Sequence, residues 1–151
     1  MTFNDFRERV STEDGLSKLD ALIAQKIMGM KVEKRNDKFF RNEPPSEKYP
    51  KGGMFGIKQY TRSADALEDV LDRVASEGIL VARYYNNLTW DGKPSKGPRY
   101  YVSVQWMNEA KDVAKIDQKG NSLSMNLITI AALLRWKGVL QDTESAQADP
   151  Q

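Results

Sequence analysis

The chain has 151 residues, which fits one domain of ordinary size and can bury a core without staples. It contains neither cysteine nor histidine, which excludes disulfides and thiolate nucleophiles and removes both the usual general base near neutral pH and the commonest ligand for zinc, copper and iron. The formal net charge of +2 is too small to argue for nucleic acid as a partner.

Met1–Val10 reads as a short helix with Phe3, Phe6 and Val10 on one side. Ser11 with Asp14 resembles a capping box ahead of a longer helix. In that helix Leu16, Leu19, Ile23, Ile27 and Met30 make one apolar stripe, and Gly29 lies near its end. From Lys31 to Gly53 the periodicity breaks. Pro44, Pro45, Pro50, Gly52 and Gly53 stand among charges and the aromatics Phe39, Phe40 and Tyr49, so a long basic loop is expected at 31–53. Between Lys31 and Arg62 the chain has nine basic residues against four acidic ones, while the remainder is slightly acidic. This asymmetry marks an anion-facing region, or else a solvated lysine-rich loop.

Met54–Tyr60 is a short strand candidate. Ser63 is a good N-cap for a second helix striped by Leu67, Val70, Leu71 and Val74, and Gly78 stops it. Ile79–Tyr85 and Arg99–Met107 read as strands, joined by the turn-rich stretch Asn86–Pro98 into a long-looped hairpin. Asp112–Asp117 adds another strand. A last helix covers about Leu123–Lys137, capped by Ser122 or Ser124, and is apolar on so many sides that it should be the most buried. Residues 141–151 read as a disordered tail after a single domain at 1–140. The whole is an α+β fold, a small antiparallel sheet layered with helices as an α-β-α sandwich.

Three segments, LDALIAQKIMGMKV (Leu19–Val32), YTRSADALEDVLDRV (Tyr60–Val74) and NLITIAALLRW (Asn126–Trp136), together resemble the phage ABA sandwich domain family. They match its Lys-apolar-Met-Gly helix end, its Tyr-Ser/Thr step into the second helix and its alanine-rich closing helix, over roughly a third of the chain. Met30 stands where the family often has Trp. The resemblance implies a bacteriophage or prophage protein with an α-β-α layered fold, and it implies no catalytic residues. Phages carry small accessory proteins that blunt host defences, either as sponges for nucleotide-derived immune signals or by binding a defence protein.

The residues themselves offer few constellations. Asp65, Glu68, Asp69 and Asp72 fall on neighbouring helical turns, where a solvated face is the ordinary reading and a magnesium site the sharper one. Gly52-Gly53-Met54-Phe55-Gly56 lacks the Lys-Ser/Thr of a P-loop, so it is a backbone anion cradle or simply a turn entering a strand. Aromatics and cations interleave twice, in the long loop and at the hairpin tip. Lys38, Phe40, Arg41, Tyr49, Lys51, Trp90, Lys93, Lys96 and Arg99 are therefore the candidate ligand-binding residues for a nucleotide-like anion, with stacking faces and phosphate-binding cations in reach of each other. Neither a cofactor, a metal nor an enzymatic activity is expected. The expected role is a non-catalytic sponge for a phosphorylated or nucleotide-derived host immune signal. The alternative is a protein-binding inhibitor of a host defence or regulatory protein. With no apolar leader in Met1–Val10 and no run long enough to span a membrane, the expected location is the host cytosol. The surplus of large apolar residues on the hairpin and the last helix points to a homo-oligomer, built on the sheet edge or on that helix.

Overall fold

The structure, a computed structural model, describes residues 1–86, 91–94, 100–120 and 123–141. Its helices begin where the chain supplies an acceptor for their free N–H groups. Helix α1 (Phe3–Val10) opens on a full capping box, in which the Asp5 N–H donates to Thr2 Oγ1 at 3.1 Å and the Thr2 N–H to Asp5 Oδ2 at 2.9 Å. Helix α2 (Glu13–Lys26) is capped by Thr12, whose hydroxyl accepts the Gly15 N–H at 3.0 Å. The cap falls one residue after the expected Ser11 because Ser11 closes α1 instead, its hydroxyl donating to the Glu8 carbonyl at 2.6 Å. Ser63 caps α3 (Ala64–Ser76) and Ser124 caps α4 (Met125–Trp136), each hydroxyl accepting an N–H at 3.2 Å.

The segment expected as a loop at 31–53 holds two strands and the start of a third. Strands β1 (Lys31–Arg35), β2 (Lys38–Glu43) and β3 (Gly53–Gly56) form an antiparallel sheet in the order β1-β2-β3. The reason is local. Asn36 and Asp37 sit at φ of 50° and 62°, the left-handed pair that a two-residue hairpin turn requires, and they pair Arg35 with Lys38. The segment's three prolines, Pro44, Pro45 and Pro50, all fall beyond Glu43, in the connection to β3, where they cost no ladder hydrogen bond. Gly52 closes that connection at φ +66°, with its N–H bonded to the Tyr49 carbonyl at 2.8 Å. A Cβ there would lie 2.6 Å from the Glu43 carbonyl oxygen. The glycine run is thus a turn leading into a strand.

Strands β4 (Leu80–Tyr85), β5 (Tyr100–Met107) and β6 (Val113–Gly120) form a second antiparallel sheet with β5 in the middle. The α+β class is as expected, but the strands divide into two sheets rather than one. The first packs on α2, and the second packs on α4, with α3 beside β4. Val102 and Val104 of β5 meet α4 in a core that also takes Phe3, Phe6, Leu19, Ile23, Leu67 and Val70 from the other helices. Helix α4 is buried on every side, from Ile128 to Leu134. Its middle is taken up by the core, and only its two ends, with Met125 and Trp136 among their residues, are half-buried. Gln141 donates its N–H to the Met1 carbonyl at 2.8 Å, and the rest of the expected tail lies outside the described residues. Among the described residues no helix is long and apolar enough to cross a membrane.

The tightest joint is between α1 and α2. A Cβ on Gly15 would sit 2.1 Å from the Arg9 carbonyl oxygen, a backbone atom that a rotamer change cannot move. Gly15→Ala should therefore push α1 off α2 and lower stability by about 1–3 kcal/mol, despite alanine's better helix propensity. Urea unfolding measures this, and a variant as stable as the parent would show that the joint is looser than it looks.

Candidate functional site

Strand β2 distributes the expected site residues by simple alternation. Phe39, Arg41 and Glu43 share one face of the strand, and Lys38, Phe40 and Asn42 share the other. The register then sets Val32 and Phe55 on either side of Arg41, and Gly56 opposite Phe40. Two clefts result.

The first cleft, about 340 Å³, lies between α2 and the end of the first sheet. Lys38 and Phe40 line it, together with Asp20, Asp37, Gln59 and Arg62. Its two cations face two carboxylates. Asp20 is 4 % exposed, and its carboxylate accepts the Thr61 N–H at 2.8 Å while Arg62 approaches at 3.7 Å. Arg62 also holds Glu13. Burial pushes the Asp20 carboxyl above the ordinary range, against the opposing pull of the Thr61 N–H and Arg62. This arrangement fastens the entrance of α3 to α2.

The second cleft, about 490 Å³, carries the other expected pair, Arg41 and Tyr49. The Arg41 guanidinium lies 5.1 Å from the centre of the Phe55 ring, and the Tyr49 ring is 4.6 Å from that of Phe55. Lys48, Lys58, Tyr60, Met28 and Met30 complete the walls with Glu43 and Asp69. Arg41 is ion-paired with Glu43, and Lys58 with Asp69. Three cations thus face two carboxylates. Tyr60 is buried at the back of the cleft, and that burial, with Asp69 near by, keeps its phenol protonated beyond the ordinary tyrosine range.

Of the remaining expected residues, Lys51 is exposed in the β2–β3 connection and lines neither cleft. Lys93 is exposed on the β4–β5 connection of the other sheet, 3.7 Å from Asp91. Trp90, Lys96 and Arg99 lie outside the described residues. The two basic-aromatic stretches therefore belong to different sheets. Phe55 and Lys58 were not singled out from the sequence. The Asn36-Asp37 turn was the signal that could have found Phe55, because it fixes β2 and so the strand that must pair next to Arg41.

The α3 carboxylates are spent singly. Asp69 holds Lys58, Glu68 lies 3.8 Å from Arg83, and Asp65 and Asp72 are exposed. Among the described residues no group of three or more acidic side chains is placed to hold a metal ion. Comparison with family models, curated proteins and solved structures finds no match for this chain.

Asp20 gives the first cleft a pH signature. A carboxyl raised in the folded state binds its proton more tightly there than in the unfolded chain. Its stabilising contribution is full below the ordinary value of 3.8 and is lost as pH rises through the raised value. Asp20→Asn keeps an acceptor for Thr61 without the buried charge, so its stability relative to the parent should climb as pH rises above 3.8. Asp20→Ala orphans the Thr61 N–H and should cost about 1–3 kcal/mol. Denaturant melts across pH test both, and equal stabilities for the Asn and Ala variants would remove Thr61 from the account.

Proposed function

We propose that the protein binds and sequesters a small phosphorylated ligand with an aromatic base, and that the second cleft is where it does so. The observation that carries this reading is the Arg41 guanidinium stacked on Phe55 beside Tyr49, with Lys48 and Lys58 on the same cleft. The guanidinium fork matches phosphate, the Phe55 ring holds the fork in place, and Tyr49 on the cleft wall offers a face to a base. The volume falls within the roughly 300–1,000 Å³ usual for small-ligand sites. The net positive charge favours an anion here over the first cleft, whose charges cancel.

Two of the three cations, Arg41 and Lys58, are already paired, so magnitudes decide whether a ligand can compete. The exposed Lys58–Asp69 pair contributes about 0–1 kcal/mol, and the Arg41–Glu43 pair, with side chains 20 % and 28 % exposed, is the one a ligand must chiefly displace. Hydrogen bonds from charged donors to a phosphate contribute about 1.5–3 kcal/mol each. A phosphate engaging Arg41 and Lys58 together gains more than the two pairs lose. The lack of histidine and cysteine supports binding without turnover. Taken with the phage resemblance, the reading is of an accessory protein that removes a nucleotide-derived immune signal in the host cytosol.

Calorimetric titration with a panel of mononucleotides and cyclic dinucleotides tests this. Arg41→Ala should weaken binding more than tenfold, by about 1.5–3 kcal/mol, whereas Lys38→Ala in the other cleft should leave it within about twofold. Heat denaturation of the complex should release the ligand intact. A parent protein that binds none of the panel, or an Arg41→Ala variant that binds like the parent, would refute the assignment.

A further inference from the structure

The second sheet has one face against the helices and one in solvent. Residues opposite one another across antiparallel strands share a face, so Tyr100, Val102, Val104 and Trp106 turn toward α4 with Ile116 and Gln118. The other face carries four of the large apolar side chains that the fold leaves exposed. Leu80 is 58 % exposed, Tyr84 47 %, Met107 61 % and Val113 65 %. Three lie toward one end of the sheet, and Tyr84 packs on Tyr101 toward the other, ring centres 5.3 Å apart. Between them the face is low and already hydrogen-bonded. Ala82 and Ser103 are paired across β4 and β5, and Gln105 donates to Ser103 Oγ at 3.1 Å.

We infer that this open face is an interface between two copies of the chain, which pack sheet against sheet. Charge selects a second copy over a charged partner. The face presents Lys115 and Lys119 with Asp117, and Lys115 lies 3.4 Å from Asp117. The adjoining β5–β6 turn adds Glu109, Lys111 and Asp112, so the patch as a whole is neutral. A surface that meets its own copy must be near neutral, because every excess charge meets its like. The outer face of the first sheet fails that test, with Lys31, Arg35 and Lys38 against Glu33. The low centre suits the contact as well, since sheets packed face to face approach to about 10 Å and small central side chains permit it.

Size fixes the strength. Three strands about 4.8 Å apart and about 27 Å long present a flat footprint of roughly 400 Å². Stable interfaces bury about 800 Å² per partner, so the dimer belongs to the weak, concentration-dependent class. The face is separate from the Arg41 cleft, and the dimer can form whether or not that cleft binds a nucleotide.

Sedimentation of the full chain from about 1 µM to about 1 mM reads the assembly directly. The parent should move from monomer to dimer across that range, within the span that weak interfaces cover. Met107→Glu and Leu80→Glu should each hold it monomeric with an unchanged circular dichroism melt, and Lys38→Glu on the other sheet should leave the dimer intact. The chain has no cysteine, so Met107→Cys and Lys38→Cys each give a single labelling site. A short bismaleimide should link two copies through position 107 and not through position 38. A parent that stays monomeric throughout overturns the inference, as does a dimer that survives both glutamate variants or links through position 38. Monomeric parent protein that captures a foreign protein on this face overturns it in favour of that partner.

Discussion

Over its middle two turns helix α4 has no outside. Seven consecutive residues, Ile128 to Leu134, are buried, and seven residues are two full turns. A helix buried all round cannot lie on the surface of a sheet like an ordinary amphipathic helix, so every other layer has to be arranged about it. Strands β5 and β6 cover one side, and the apolar stripes of α1, α2 and α3 close the rest. Even its polar Thr129 is satisfied within the helix, its hydroxyl donating to the Met125 carbonyl at 2.7 Å. Beyond its last turn the two ends of the fold meet, where the Met1 amino group donates to the Val139 carbonyl at 3.2 Å.

That arrangement also determines which face of the second sheet is left open. Arg135, in the last turn of α4, donates to the Asp117 carbonyl at 2.8 Å and to Gln118 Oε1 at 2.9 Å. The Gln118 side chain is thereby drawn under the helix, at 1 % exposed. Alternation then sends Lys115, Asp117 and Lys119 to the opposite face, and a one-residue slip would bury those charges. Asp117 is comfortable there. Partial burial raises its pKa, but the Tyr101 and Ser103 hydroxyls and Lys115 outweigh it and hold the carboxyl below the ordinary range. The exposed apolar side chains of this sheet thus follow from the depth of α4, since one helix can cover only one face.

The helices were legible because each carries its own signal, a cap and a stripe. Ser63 with Leu67, Val70 and Val74 is readable without any tertiary information, and so is the all-round apolarity of α4. The first sheet was not. Strand β1 is Lys-Val-Glu-Lys-Arg, with Val32 its only apolar residue, so alternation gives almost no contrast. Its strand character comes from the Asn36-Asp37 turn and from pairing with β2, and pairing is a long-range property. The candidate site inherited this gap. Arg41 and Tyr49 could be named by residue type, but their common neighbour Phe55 depends on the register of β3. For the same reason Lys38 and Arg41, three residues apart, were assigned to one site and lie on opposite faces of a strand.

The paired state of the second cleft bears on what it can select. Arg41 holds Glu43 and Lys58 holds Asp69, so of the three cations on the cleft these two are not open to an arbitrary anion, and only Lys48, over the Tyr49 ring, carries no carboxylate among the described residues. A monoanion that displaces one carboxylate exchanges one modest ion pair for another and leaves that carboxylate facing the newcomer. It gains little. A phosphate carries close to two charges and several acceptor oxygens, and can take both cations in one step. An attached base would add contact with the Tyr49 ring on the cleft wall, which a bare phosphate cannot use. The native ion pairs therefore act as a threshold. On the proposed reading they would hold the cleft in shape without ligand and, with the aromatic contact, favour ligands that join a doubly charged group to an aromatic surface over common cellular carboxylates and inorganic phosphate.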